Sequence, residues 1–274
     1  MKNLDKYKAY LSKEKNLSNN TVDSYLGDLR QFSQFVKKEE KEVTQDDITD
    51  FIVQVRETNS VITANRKLAA IKSYYKFLLF KGKILSSPAA LLEGGKVGKR
   101  LPSPIDNPEK ILSIIDDLRD RTLLEVLYGS GMRRFEVIAI KKSDINWSRG
   151  YIRVIGKGNK ERIVPLNGRA LSFLKECADT HTSDWVFPSR KYPEKHISTR
   201  RLNEIVAFWA GRAGIENVSA HKFRHTFATK MFENGMDIKT LQDILGHESV
   251  NTTNRYAKVS VERNIREYTK CFVD

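Results

Sequence analysis

The chain has 274 residues, 40% hydrophobic and 30% charged, with a formal net charge of +14 and a pI of about 9.6; this suits two domains with real cores, and favours a polyanionic partner, nucleic acid ahead of an anionic membrane. No run of 18 apolar residues occurs, and the charged start MKNLDKYKAYLSKEK has no apolar signal core, so neither a membrane span nor a secretory leader is expected. Cys177 and Cys271 lack metal-type spacing and read as reduced thiols of a cytosolic protein.

The first hundred residues read as helices. From Ser18, the apolar positions Val22, Tyr25, Leu26, Leu29, Phe32, Phe35 and Val36 form one stripe at helical spacing. Thr44 followed by Asp47 has the form of a capping box, and Ile48, Phe51, Ile52 and Val55 continue the period. A third helix spans about 60–81, with Leu68, Ile71, Tyr75, Leu78 and Leu79 on one face and Gly82 as its stop. It carries Arg66, Lys67, Lys72, Lys76 and Lys81 and no acid, which fits either a solvated basic face or a helix lying against phosphates. A basic Gly/Pro linker is expected over 94–107, with Lys96, Lys99 and Arg100 placed to run along DNA. It separates domains at 1–93 and 108–274.

The second domain reads as helices over about 108–119 and 121–142, then two strands, 151–156 and 161–166, joined by a tight GKGNK turn. Helices follow over about 168–179, 199–213, 219–234, 237–246 and 261–270. No internal repeat or low-complexity tract interrupts this order.

Several residues of this domain have chemistry that becomes specific only in combination. Tyr256 lies in LGHESVNTTNRYAKV, and a tyrosine alone is ordinarily a core or surface residue. Arg133 lies in YGSGMRRFE, where Gly129 and Gly131 interrupt a helical run; the bend either presents the arginine to a pocket or is an ordinary turn. Lys157 sits in a glycine-flanked hairpin turn, His221 and Arg224 share a helix face in AHKFRHTFAT, and His247 follows Gly246 at a helix end. His221 and His225 form HxxxH, but Lys222, Phe223 and Arg224 lie between them where a zinc helix carries a glutamate, so no metal is expected. Two arginines, a lysine, two histidines and a tyrosine suit a phosphodiester in transfer. Arginines can clamp its non-bridging oxygens, lysine can protonate a leaving oxygen, and histidine can take the tyrosine proton.

Four segments in order resemble the boxes of the tyrosine recombinase (phage-integrase-like) family: YGSGMRRFEV its first arginine box, VIGKGNKERIVPL its lysine hairpin, AHKFRHTFAT its H-x-x-R box, and LGHESVNTTNRYAKV its tyrosine box. SNNTVDSYLGDLRQF resembles its helical core-binding domain, so the likeness covers nearly the whole chain. Arg134 and Phe135 stand where smaller or less charged residues are common, and Phe223 where leucine is frequent; neither departure falls on a catalytic position.

The resemblance implies an all-α, SAM-like N-terminal domain and a mainly α catalytic domain with a small antiparallel sheet. It implies Tyr256 as nucleophile, Arg133 and Arg224 as phosphate clamp, Lys157 as general acid, His221 as an aid to proton transfer from the tyrosine, His247 as bonded to a phosphate oxygen and Glu136 as support. Arg66, Lys67, Lys72, Lys76, Lys99 and Arg100 are candidates for DNA contact. Cleavage through a 3′-phosphotyrosyl bond keeps the phosphodiester energy, so no ATP, metal or other cofactor is implied. The implied partners are double-stranded DNA with a short inverted-repeat core site and three further copies of the chain, forming a tetramer around a Holliday junction. Val261, Ile265, Tyr268 and Phe272 would form a helix docking either on its own domain or on a neighbour. The helices begin almost at Met1, leaving no room for an arm-binding domain, which is most similar to the Xer group. That group resolves chromosome dimers at a dif-type site in the cytoplasm, in some cases with a partner recombinase or DNA translocase. An integrase of a plasmid or transposon is the alternative; a DNA-binding relative without catalysis and a type IB topoisomerase are further ones.

Overall fold

The computed structural model describes residues 1–98, 103–156 and 161–246. The chain divides into two compact units, Met1–Lys99 and Arg100–Asp274.

The first unit is helical throughout. A short helix α1 (Leu4–Ala9) continues through a π turn, Tyr10–Glu14, into α2 (Asn19–Val36), α3 (Gln45–Thr58) and α4 (Val61–Phe80). Hydroxyl side chains start the three long helices: Ser18 accepts from the Thr21 N–H, Ser60 from Thr63 and Thr44 from Asp47. At Thr44 the box is reciprocal, because the Asp47 carboxylate accepts from the Thr44 N–H at 2.9 Å. The apolar stripes meet in one core that includes Leu29, Phe32, Ile48, Ile71, Tyr74 and Leu78.

The expected exposed basic face of α4 fails at Lys67. Position 67 falls on the same side of the helix as Ala64, Leu68 and Ile71, and only 5% of the residue is exposed. Its ammonium bonds Asp28 at 3.0 Å and also Gln31, while Arg66 pairs with the other oxygen of Asp28. A buried lysine needs such partners, and burial takes Lys67 out of the set available to touch a phosphate.

The second unit contains α5 (Pro108–Leu112), α6 (Leu118–Ser130), α7 (Arg134–Ile138), three short strands, and α8 (Gly168–Asp179), α9 (Thr199–Arg212), α10 (Ala220–Glu233) and α11 (Ile238–Leu245). The strands β1 (Ile145–Asn146), β2 (Tyr151–Ile155) and β3 (Glu161–Pro165) form an antiparallel sheet in that order, with Ile152 opposite Ile145 on one side and Val164 on the other. Helix α6 runs through the core; Leu123, Leu124, Val126 and Leu127 are fully buried. Among the described residues no helix is long and apolar enough to cross a membrane.

Two expected helices are divided, and one strand appears that periodicity did not reveal. Asp117 caps a new start, accepting from the Asp120 N–H at 2.9 Å, so 108–119 is not continuous. The run 121–142 breaks at Gly131, which takes the left-handed conformation (φ 62°) before α7 begins. Strand β1 has only two residues, too short to show an alternation.

Candidate active site

Gly131 decides where Arg133 goes. Its backbone suits glycine, and a Cβ there would lie 2.3 Å from a ring carbon of Phe227. The turn therefore packs directly on α10, and its carbonyl accepts from Arg224 Nη1 at 2.7 Å. Two residues later Arg133 caps α7, its N–H donating to Glu136 Oε2 at 2.7 Å and its Nη1 to Glu136 Oε1 at 3.0 Å.

The C-terminus of α11 is the meeting point. Its last carbonyls have no partner within the helix and carry the negative end of the helix dipole. The Ile244 carbonyl accepts from Arg162 Nε at 2.9 Å, Leu245 from Arg224 Nη2 at 2.7 Å, and Gly246 from Arg133 Nη2 at 2.5 Å. Successive carbonyls thus engage arginines from β3, α10 and the α6–α7 turn. Arg224 is buried, with 3% exposed, while the Arg133 side chain keeps 38% of its surface open. Guanidinium groups held this way keep a fixed orientation, which suits an anion with several oxygens.

His221 lies in the first turn of α10 with an edge open to solvent, its ring 4.3 Å from that of His225 in a T-shaped contact. Loss of solvent, followed by the charges of Arg224, Arg134 and Arg133, lowers its pKa from the ordinary imidazole value. The neutral ring is thereby favoured, and only the neutral ring can accept a proton. At Glu136, burial pushes the carboxyl up, but the Arg162 fork, the Arg133 N–H and both arginine charges outweigh it and hold the group below the usual carboxylate range.

The structure brings Arg133, Glu136 and Arg224 together around the α11 terminus. Lys157, His247, Tyr256, Lys99, Arg100, Cys271 and the helix expected at 261–270 lie outside the described residues. In the first unit Arg66 is engaged by Asp28, Lys72 donates to the Leu92 carbonyl at 2.7 Å, and Lys76 is exposed on α4. Arg162 is the residue that sequence reading missed. Its signal lies in the alternation of ERIVP, where Arg162 shares the inward face with Val164 while Ile163 points out at 56% exposure. An arginine inside and an isoleucine outside reverse the usual strand pattern.

Residues 105–263 match the phage integrase family, and residues 4–82 match the N-terminal SAM-like domain of phage integrases. The chain belongs to the phage integrase family of tyrosine recombinases. It is 36% identical to tyrosine recombinase XerC of Pelobacter propionicus, covering 98% of this chain and 95% of that one. It is 30% identical to tyrosine recombinase XerD of Staphylococcus epidermidis, covering 97% of each. Its fold is similar to that of the XerH site-specific recombinase bound to a palindromic difH substrate in a post-cleavage complex. That match has a TM-score of 0.78 at 23% identity, over 97% of this chain and 83% of that one. The recombinase is thus an enzyme of the Xer type, one that breaks and rejoins DNA strands.

Proposed function

We propose that this recombinase performs Xer-type resolution of chromosome dimers at a dif-like site in the cytoplasm, as a tetramer holding two DNA duplexes. The observation that carries the chemical part is the convergence of Arg133 and Arg224, from different elements, on the end of α11, immediately before His247 and ten residues before Tyr256 in the chain. Arg133 is braced by Glu136 and the Gly246 carbonyl with 38% of its side chain open for the non-bridging oxygens of a scissile phosphate, and Arg224 is fixed beside it by the Gly131 and Leu245 carbonyls. Such pre-set donors stabilise charge that develops in transfer.

The steps follow from the residue types. The Tyr256 hydroxyl attacks phosphorus, forming a bond to the 3′-phosphate and breaking the bond to the 5′ oxygen. His221, held toward its neutral form, takes the phenol proton. Lys157 gives a proton to the leaving 5′ oxygen, and His247 donates to a phosphate oxygen. Attack by the 5′ hydroxyl of the partner strand reverses the step, first forming and then resolving a Holliday junction. The solved complex of XerH with difH supports a dif-like, inverted-repeat core as substrate. Arg66, Lys72 and Lys76, with Lys99 and Arg100 in the linker at 94–107, are the proposed contacts to the DNA backbone, and Arg66 keeps 44% of its side chain exposed. A partner recombinase or DNA translocase fits the same role.

The test is a nicked suicide duplex carrying the dif-like core of the source genome, incubated with the full chain and resolved on a denaturing gel. A covalent protein–DNA band is expected with wild type and absent with Tyr256→Phe. A band that survives Tyr256→Phe sinks the assignment of the nucleophile, and cleavage of unrelated duplexes at the same rate sinks the dif-like site.

A further inference from the structure

Arg162 projects from the inward face of β3 and uses all three guanidinium nitrogens. Nη1 and Nη2 fork onto the two oxygens of Glu136 at 2.9 and 2.7 Å, and Nε donates to the Ile244 carbonyl at 2.9 Å. Only 12% of the side chain is exposed. The same Glu136 oxygens receive Arg133, Oε1 from its guanidinium and Oε2 from its backbone. Gly246 packs against this group, since a Cβ there would sit 3.0 Å from Arg162 Nε.

From this geometry we propose that Arg162 is a positioning residue of the cleavage site, setting the Arg133 guanidinium through Glu136 and holding the α11 terminus in place. The inference rests on the reading of Arg133 as a phosphate clamp. A carboxylate has one favoured plane in which both oxygens meet a guanidinium fork. Arg162 fixes that plane, and with it the point from which Glu136 Oε1 accepts Arg133. Without Arg162, Glu136 is a nearly buried anion with half its partners, free to rotate toward whatever donor remains. The Ile244 carbonyl loses its partner in the same change, so the acceptors that orient Arg133 and Arg224 lose their common support. A lysine cannot replace this arrangement, because a single ammonium is a point charge without the planar fork.

The full chain carrying Arg162→Met, Arg162→Lys, Glu136→Gln, or Arg162→Met with Glu136→Gln tests this on the nicked duplex. The single-turnover rate of the covalent band is separated from its amplitude, which counts folded enzyme. Arg162→Met is expected to slow the rate about a hundredfold, the scale of a 1 Å misplacement, with Arg162→Lys close to it. The double variant should fall within about threefold of the slower single one, because the residues act as one unit. On a duplex whose scissile phosphate is a methylphosphonate, the ratio of wild type to Arg162→Met should shrink, since one charged oxygen no longer needs the clamp. A wild-type rate with reduced amplitude, fully multiplying losses in the double variant, or an unchanged ratio on the methylphosphonate would overturn the proposal. If Arg162→Met does not fold, Arg162→Lys carries the same comparisons. No band with wild type overturns the clamp reading itself, and this inference with it.

Discussion

Both units place a nearly buried carboxylate between two cations, and the two arrangements end differently. In the first unit Asp28 takes Arg66 on one oxygen and Lys67 on the other, and Gln31 occupies Lys67 further. In the second, Glu136 takes Arg162 on both oxygens and Arg133 besides, and both arginines go on to carbonyls at the end of α11. Lys67 is a compact ammonium whose contacts are inside the helical core. Arg133 is a fork with one edge braced and a substantial part open to solvent. A buried ion cluster is therefore a closed brace in one place and, in the proposed function, the base of a binding site in the other. What separates them is a cation with donors left over, facing outward.

Exchanging arginine for lysine at the open cluster has the largest expected effect. Arg224→Lys replaces a planar fork, whose separate nitrogens meet Gly131 and Leu245, by a single point charge, so single-turnover cleavage should fall about 10²–10³-fold, the range for losing one pre-set donor to a developing oxyanion. The closed cluster should respond in stability instead. Asp28→Asn leaves the Lys67 ammonium buried without its counter-charge, which costs about 3–5 kcal/mol. Denaturant unfolding would read that loss, while the cleavage rate of the folded fraction at saturating protein should not change. If Asp28→Asn slows that rate as Arg224→Lys does, the division between brace and site is wrong.

The legible parts of the molecule were the local ones. The capping box at Thr44 and Asp47 spans three residues, and the shared face of His221 and Arg224 is one helical turn; both follow from spacing alone. The four-box pattern also made the family readable, though Arg162 lay unrecognised inside one of the boxes. Its partners are Glu136, 26 positions back, and Ile244, 82 positions on, and no local period connects them. Gly131 was visible as an interruption but not as a terminator, because the apolar residues of α7 resume the helical spacing just beyond the turn. Lys67 was misread for a different reason. The absence of acids on α4 drew attention to charge, whereas its register with Leu68 and Ile71 already placed it on the buried side.

The smallest effect concerns pH and sharpens the account of the open cluster. Desolvation, then the cations Arg224, Arg134 and Arg133, hold the His221 pKa below its ordinary value of about 6.5. In the folded protein the ring therefore binds its proton only at lower pH than in the unfolded chain. Between those two values the unfolded state carries more protons, so this group's contribution to stability falls as pH drops through that window. For cleavage, the neutral ring persists to lower pH, and the acid limb of the single-turnover rate should lie below pH 6.5. Arg134 is exposed and takes no part in the clamp, yet its charge contributes to the shift. Arg134→Ala removes one cation that opposes the imidazolium, so the limb should move up by a fraction of a unit toward the ordinary value, with the plateau rate kept. A limb that stays put would mean that Arg134 does not act on the titrating group. A limb already at or above the ordinary value in wild type would remove His221 as the proton acceptor.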